Sequence, residues 1–445
     1  MDGVPGPPRE TGSLLLRISR FLFPLAVASV PFDAVFRLGI VRLTLTEALF
    51  LAAFLFWAVD VARGRIRLEP GPGALPAAAF LAACAVSVIG AQDRLVAVRE
   101  SLQFAWIFCL LYYMIDILKE KREREAALVL TVAAALVSSF YGLYQYFFVK
   151  DPFEFLIALT RLRAHGFFDQ PNTFGAYLLG VVPLLLGYIG LADHGHRLRQ
   201  RIPHPLLNRK LLAGMLLIIL CALAATFSRG SWIAFAASMP VLYFLLRRKI
   251  GWATVAIGAG ISVAAFSFIL GDLTVQPGPT DRLNSDRIRM DLAKAGIAVA
   301  RDHPVSGVGA GNFPNVLQRY ASPELVRLLH LDYDEIHQGW YPNPKKPQTV
   351  EIVHNTLIQV AAETGLLGLI TFCWLFGVLL KQGIDRIRQT HEVEDFYIRS
   401  AALTGAIAML IAGMFGWPFS HGTQELLVFS LGFAIRPAAA AEAAG

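Results

Sequence analysis

The chain has 445 residues, 55% of them hydrophobic and only 16% charged. Soluble domains carry roughly 25% charged residues, so this composition excludes an ordinary soluble fold and points to a membrane protein. The net charge of +7 comes from basic clusters spaced between apolar runs, an arrangement that argues against nucleic-acid binding.

The apolar residues fall into runs of about 17–25, the length that crosses a ~30 Å hydrocarbon core as helix. About twelve such runs follow in chain order, near 14–31, 43–62, 74–91, 97–118, 126–149, 174–192, 210–228, 230–246, 251–271, 353–380, 400–416 and 422–437. Arg99 and Glu100 weaken the start of the fourth. The AVAS at 26–29 has the form of a signal-peptide cleavage site. Arg17 and Arg20 leave it too short an apolar core, so the segment reads as the first span. Cys84, Cys109, Cys221 and Cys373 all lie in apolar runs; their spacing matches neither a metal site nor a disulfide framework, and they read as small buried hydrophobes.

Sidedness follows from charge. Basic clusters stand at Arg63/Arg65/Arg67, Lys119/Lys121/Arg122/Arg124, Arg197/Arg199/Arg201/Arg209/Lys210, Arg247/Arg248/Lys249 and Lys381/Arg386/Arg388. With twelve spans they share one side with both termini, which the positive-inside rule makes cytoplasmic. Two long loops, about 150–173 and 272–352, fall on the other side. In the second, NSDRIRMDLAKAGIAVARDHP predicts a helix. Asn284 or Ser285 could cap it, Ile288, Leu292, Ala295 and Val299 recur at helical spacing, and Pro304 with the glycines of SGVGAGN would end it. The YPNPKKPQ beyond reads as irregular. The expected organisation is transmembrane helices 1–9 over 1–271, a periplasmic loop region over 272–352, and helices 10–12 with a tail over 353–445.

Four polar residues stand out at the outer membrane edge: Arg163, Arg229, Arg287 and His354. Arg229 interrupts a long apolar stretch, where an arginine at a span centre costs about 2.5–3.5 kcal/mol; a tight outward turn at Gly230 removes most of that cost. Singly, each has a plain reading. Arg229 marks a turn, Arg163 is a solvated loop charge, Arg287 is one of several charges on an amphipathic helix, and His354 precedes Asn355 as a helix N-cap. Together the arginines suit a lipid pyrophosphate, whose oxygens match the guanidinium fork, and an imidazole can accept a proton near neutral pH. Glu363 lies nine residues beyond His354, about 13 Å deeper and half a turn round. It is expected to face the bundle and bond another helix, while Gly365 and Gly368 permit close packing. Asp332, Asp334, Glu335 and His337 match no standard ligand spacing and read as an acidic loop. GVGAGN (307–312) resembles a phosphate cradle but follows a helix and a proline, so it reads as a structural turn.

RAHGFFDQPNTFGAYLLGVVPLLLG, TFSRGSWIAF, SDRIRMDLAKAGIAVARDHPVSGVGAGNF and HNTLIQVAAETGLLG resemble, in order, the signatures of the O-antigen ligase family, a superfamily of polytopic membrane glycosyltransferases that includes O-antigen polymerases. The resemblance covers about 160–370. It implies an all-α membrane protein of about twelve transmembrane helices, GT-C-like, with one long periplasmic loop containing helices. It implies an inverting transferase needing neither metal nor other cofactor. Such an enzyme moves glycan from undecaprenyl pyrophosphate to a sugar hydroxyl of lipid A–core at the periplasmic face of the bacterial inner membrane. His354 is then the catalytic residue and Arg163, Arg229 and Arg287 bind the pyrophosphate. Asn172, Asn355 and Glu363 support them. Asp291 departs from the pattern, since many relatives have tryptophan there. The alternative within the superfamily is a polymerase taking a second lipid-linked glycan as acceptor. A transporter of lipid-linked sugars fits less well, because no internal repeat is visible and the polar residues gather at one face.

Overall fold

The structure, a computed structural model, describes residues 13–32, 35–38, 41–68, 71, 73–149, 156–157, 161–194, 208–246, 279–322, 325, 331–334, 339–342, 352–417, 419 and 422–437. Every predicted apolar run within them is a helix, and the ninth, 251–271, lies outside them. The helices are α1 (Leu14–Ser29), α2 (Leu45–Ala62), α3 (Ala74–Ile89), α4 (Arg94–Ile117), α5 (Lys121–Phe148), α6 (Pro171–His194), α7 (Arg209–Ala225) and α8 (Arg229–Leu246). Beyond the gap follow α9 (Pro279–Asp302), α10 (Phe313–Tyr320), α11 (Thr356–Gln389), α12 (Val393–Ala412) and α13 (Thr423–Ile435).

Local chemistry sets the starts. Ser13 caps α1 by accepting the Leu16 N–H, Thr44 and Glu47 form a capping box on α2, and the Asp93 carboxylate accepts from Leu95 and Val96 at the head of α4. Such caps satisfy amides with no partner inside the helix. Among the described residues seven helices are long and apolar enough to cross a membrane, and α3 and α13 are apolar but shorter. The protein is thus a polytopic all-α membrane protein.

Hydropathy did not announce three short antiparallel hairpins: β1 (Val35–Leu38) with β2 (Val41–Thr44), β3 (Leu156–Ile157) with β4 (Arg161–Leu162), and β5 (Leu331–Asp334) with β6 (Gly339–Pro342). The second and third fall within the long loops at 150–173 and 272–352, and β2 reaches into the start of the run expected at 43–62. In the last, Asp332 and Asp334 belong to a strand, and Tyr341 and Pro342 of the supposedly irregular YPNPKKPQ pair with Asp332 and Leu331. Glu335, His337 and the rest of that stretch lie outside the described residues.

The bundle is layered around α6 and α12. These two pack on each other and are buried on most faces, while α8 and α13 lie against α12. Outer helices expose apolar side chains to lipid, and Phe140, Tyr144, Phe147 and Phe148 crowd the carboxyl end of α5 in the manner of an interfacial aromatic belt. The cysteines need correction here. Only Cys84 is buried; Cys109, Cys221 and Cys373 are exposed on the outer faces of α4, α7 and α11.

The two ends of the bundle differ. One carries the described basic residues at 63–67, 119–124, 209–210 and 381–388, with the ion pairs of Arg20 with Glu120 and of Lys121 with Glu125 and Glu394; the clusters at 197–201 and 247–249 lie outside the described residues. There Asp395 of α12 holds the buried Arg399 and Arg436, and Arg399 also donates to the carbonyls of Ala434 and Arg436, closing the carboxyl end of α13. The opposite end carries the 163–172 segment, the α7–α8 turn, the start of α11 and the α12–α13 connection. On it sits a small second core, in which Leu292 and Val299 of α9 meet Val308, Phe313 and Leu317, closed by Val353 and Ala362. α9 matches the predicted amphipathic helix, with Leu292, Ala295 and Val299 buried and Ile288 partly so. It begins at Pro279, earlier than a cap at Asn284 or Ser285 would place it.

Candidate functional site

The segment after β4 runs along the α7–α8 turn. Ala164 N–H donates to the Ala225 carbonyl at 2.9 Å. Arg163 Nε donates to the Thr226 carbonyl at 2.8 Å and its Nη2 donates to Asn172 Oδ1 at 3.2 Å. A guanidinium on the last carbonyls of α7 also meets the negative end of that helix. Arg163 therefore holds the turn that carries Arg229, and part of its donor set is committed to that task. Gln145 fixes the same segment from α5, its Oε1 accepting from His165 N and Gly166 N at 3.2 and 2.9 Å.

Arg229 is the first residue of α8 and is exposed, in the outward turn that the sequence implied. Ser228 N–H donates to Thr226 Oγ1, and the Ser228 and Ser231 hydroxyls share a hydrogen bond of 2.9 Å. Gly230 packs so closely on Phe415 of the α12–α13 connection that a Cβ would lie 2.6 Å from the Phe415 Cβ.

The same connection receives the start of α11. Asn355 caps the helix, Oδ1 accepting the Ile358 N–H, while its Nδ2 donates to the Met414 carbonyl at 3.2 Å. Thr356 donates through both N–H and Oγ1 to the Gly413 carbonyl at 2.9 and 2.8 Å. Residues 413–415 thus touch both the α8 start beside Arg229 and the α11 start beside His354. Arg163, Asn172, Arg229, His354 and Asn355 are brought to one end of the bundle, where the positive ends of α6, α8 and α11 also open.

Backbone strain marks the same place. Among the described residues only Phe227, at φ 51°, and His354, at φ 55°, are non-glycine residues in the left-handed region. That region costs an L-residue roughly 1–2 kcal/mol, and such outliers cluster at functional sites. One precedes Arg229 by two residues; the other is the histidine itself.

Glu363 is buried and does bond another element, as expected. Its Oε1 accepts from Gln359 Nε2 at 2.6 Å and from the Phe313 N–H at 3.4 Å, the amide heading α10. Gln359 Oε1 in turn accepts the Val353 N–H at 2.7 Å. The carboxylate thus reaches Val353, the residue before His354, through one intermediary.

α11 is not the continuous helix that the apolar run suggested. Gly365 has φ 67° and breaks it. The 304–313 segment fills the break: Val308 N–H donates to the Ala362 carbonyl, Gly309 N–H to the Glu363 carbonyl, and Leu366 N–H to the Pro304 carbonyl, all within 3.0 Å. A Cβ on Gly365 would stand 2.3 Å from the Val305 oxygen, and one on Gly307 2.3 Å from the Glu363 carbonyl carbon. GVGAGN is accordingly a structural clasp, anchored further where Asn312 exchanges hydrogen bonds with the backbone of Asp93. Its Gly311 packs closely on the Glu100 side chain of α4.

Arg287 is placed less directly. α9 packs through Gly296 onto Val353 and Ile358, either side of His354. Arg287 is exposed, nine residues before Gly296, about 13 Å along the axis. Asp291, the departure noted above, pairs with Lys294 at 2.9 Å on the surface. Sequence reasoning missed Gln359, the 413–415 connection and the strained Phe227, none of which carries a signature of its own.

Residues 214–373 match the O-antigen ligase family model, so this segment carries the domain that the motifs resemble. It contains Arg229, Arg287, His354, Asn355, Glu363 and the clasp, and excludes Arg163 and Asn172. No curated protein matches the chain. The match supports a ligase- or polymerase-type glycosyltransferase role in O-antigen biosynthesis.

Proposed function

With an O-antigen ligase domain at 214–373 inside a polytopic bundle, we propose that the protein transfers a glycan from undecaprenyl pyrophosphate to a sugar hydroxyl of lipid A–core. The reaction takes place at the periplasmic face of the inner membrane, with both termini in the cytoplasm. The observation carrying this reading is the gathering of the Arg163 segment, Arg229 and His354 at one end, where the two left-handed non-glycine residues among those described are Phe227, just before Arg229, and His354 itself.

Arg229 and Arg287 take the pyrophosphate, aided by the positive end of α8, and Arg163 adds charge while holding the turn. Pyrophosphate is a good leaving group, so its developing charge needs electrostatic stabilisation more than protonation. His354 removes the acceptor hydroxyl proton. The hydroxyl oxygen bonds the anomeric carbon from the face opposite the pyrophosphate. The anomeric C–O bond breaks, undecaprenyl pyrophosphate departs, and the configuration inverts.

The test is purified protein in reconstituted vesicles with lipid-linked glycan, offered lipid A–core and a second lipid-linked glycan separately. Extension of lipid A–core is expected, with His354→Ala reducing transfer by about 10²–10⁴-fold. Wild-type transfer by His354→Ala refutes the base assignment. Extension only of the second glycan makes the protein a polymerase.

A further inference from the structure

A groove of about 460 Å³ opens at the basic end, away from the site above. It lies between α3, α4, α11 and α13. Ala77, Phe108, Leu111, Leu375, Leu379 and Ile435 give it an apolar floor. Its rim carries Arg67, Lys119 and Arg386 against the single carboxylate of Asp116. That carboxylate is already occupied, accepting from Trp57 Nε1 and from Lys119 Nζ, each at 2.8 Å. Among the described residues no carboxylate pairs with Arg67 or Arg386. Phe108, Leu111 and Leu379 also border a narrow apolar slot, which continues between Phe80, Phe372 and Phe419 toward the middle of the bundle.

We propose that this groove binds one anionic glycerophospholipid from the leaflet at the basic end. Its phosphate lies between Arg67 and Arg386 and an acyl chain follows the apolar floor. The charge pattern selects the occupant. Two arginines at a membrane-facing rim suit a phosphate, and basic pockets between transmembrane helices on the cytoplasmic side take anionic headgroups. A zwitterionic lipid would set its ammonium against Arg67, Lys119 and Arg386. A free phosphate would leave the floor without a partner. The lipid would also brace α3 against α11, which touch at the groove edge where Gly73 meets Leu379.

The experiment is lipid retention by native mass spectrometry of the full chain in detergent. Phosphatidylglycerol, phosphatidylethanolamine and undecaprenyl phosphate are presented separately at equal mole fraction, with inorganic phosphate as competitor. Wild type is expected to retain phosphatidylglycerol preferentially. Arg67→Gln/Arg386→Gln should weaken retention by about ten- to thirty-fold, whereas Arg122→Gln/Arg388→Gln, equal in charge removed but outside the groove, should retain it as wild type does. Equal retention of phosphatidylethanolamine, or equal behaviour of the two double variants, overturns the proposal. Preference for undecaprenyl phosphate, or displacement by inorganic phosphate alone, overturns the assigned occupant. A photoreactive acyl chain on wild-type protein gives an independent reading: label is expected on the α4 and α11 peptides bearing Phe108 and Leu375, and label confined elsewhere refutes the groove.

Discussion

His354 occupies a left-handed backbone conformation that costs a side-chain-bearing residue roughly 1–2 kcal/mol. The surroundings hold it there from both sides. After it, Asn355 and Thr356 are bonded to the Gly413 and Met414 carbonyls; before it, Val353 is bonded to Gln359, and Gln359 to Glu363. Gln359→Leu keeps the volume and removes the middle of this chain. If the held backbone positions the base, transfer should fall by on the order of ten- to hundred-fold in kcat with little change in KM for the lipid-linked donor. Steady-state kinetics in detergent separates the two, and an unchanged kcat would make Gln359 merely structural. The histidine was legible from its chemistry and its place at the head of an apolar run. Its strain and its support were not, because backbone dihedrals and a glutamine bonded across six residues leave no pattern in the chain. Arg163 shows the reverse case. Its position suggested ligand binding, yet two of its donors are spent on Thr226 and Asn172, partners chosen by tertiary packing.

At the scale of elements, hydropathy fixes where helices lie but not whether they are whole. The run at 353–380 is apolar apart from a few polar residues such as Gln359 and Glu363, and nothing in its pattern sets Gly365 apart from Gly368 as the point where α11 breaks. Gly365 reads equally well as a packing position. The structure decides otherwise, since its φ is 67° and the Val305 oxygen fills the space a side chain would need. The break frees backbone groups that the 304–313 clasp then satisfies, a requirement inside a membrane, where unbonded amides cost several kcal/mol. Gly365→Ala adds both a left-handed alanine and an overlap, so destabilisation of about 2–6 kcal/mol is expected. Gly377→Ala on the same helix, where nothing lies within 4 Å, should be neutral or stabilising by about 0.5–1 kcal/mol. Thermal unfolding of the two variants in detergent makes the comparison; equal melting points would mean the clasp is not a supporting contact. The hairpins escaped sequence reading because two- to four-residue strands are shorter than any periodicity can register.

The whole molecule sorts its charge by end. The buried Asp395–Arg399–Arg436 cluster and the ion pairs of Arg20 and Lys121 occupy one end, and the strained histidine, the Arg229 turn and three helix amino termini occupy the other. Alternating spans made this separation legible before any coordinates, because each helix returns the chain to the opposite face and the basic clusters recur at every second connection. The compass direction of the two ends is a separate matter, set by the membrane potential and insertion machinery rather than by packing. It can be measured with single thiols in a variant lacking Cys84, Cys109, Cys221 and Cys373. Asp169→Cys places a thiol on the exposed segment after Arg163, and Arg122→Cys places one at the exposed start of α5. In intact spheroplasts a membrane-impermeant maleimide should modify the thiol at 169 and spare that at 122 until the membrane is permeabilised. The opposite order would invert the protein and put the candidate site in the cytoplasm, where a lipid A–core acceptor and a translocated glycan donor would not meet it. Modification of both thiols in sealed spheroplasts would instead mean that the two ends do not face different compartments, and the twelve-span reading would fall with the site.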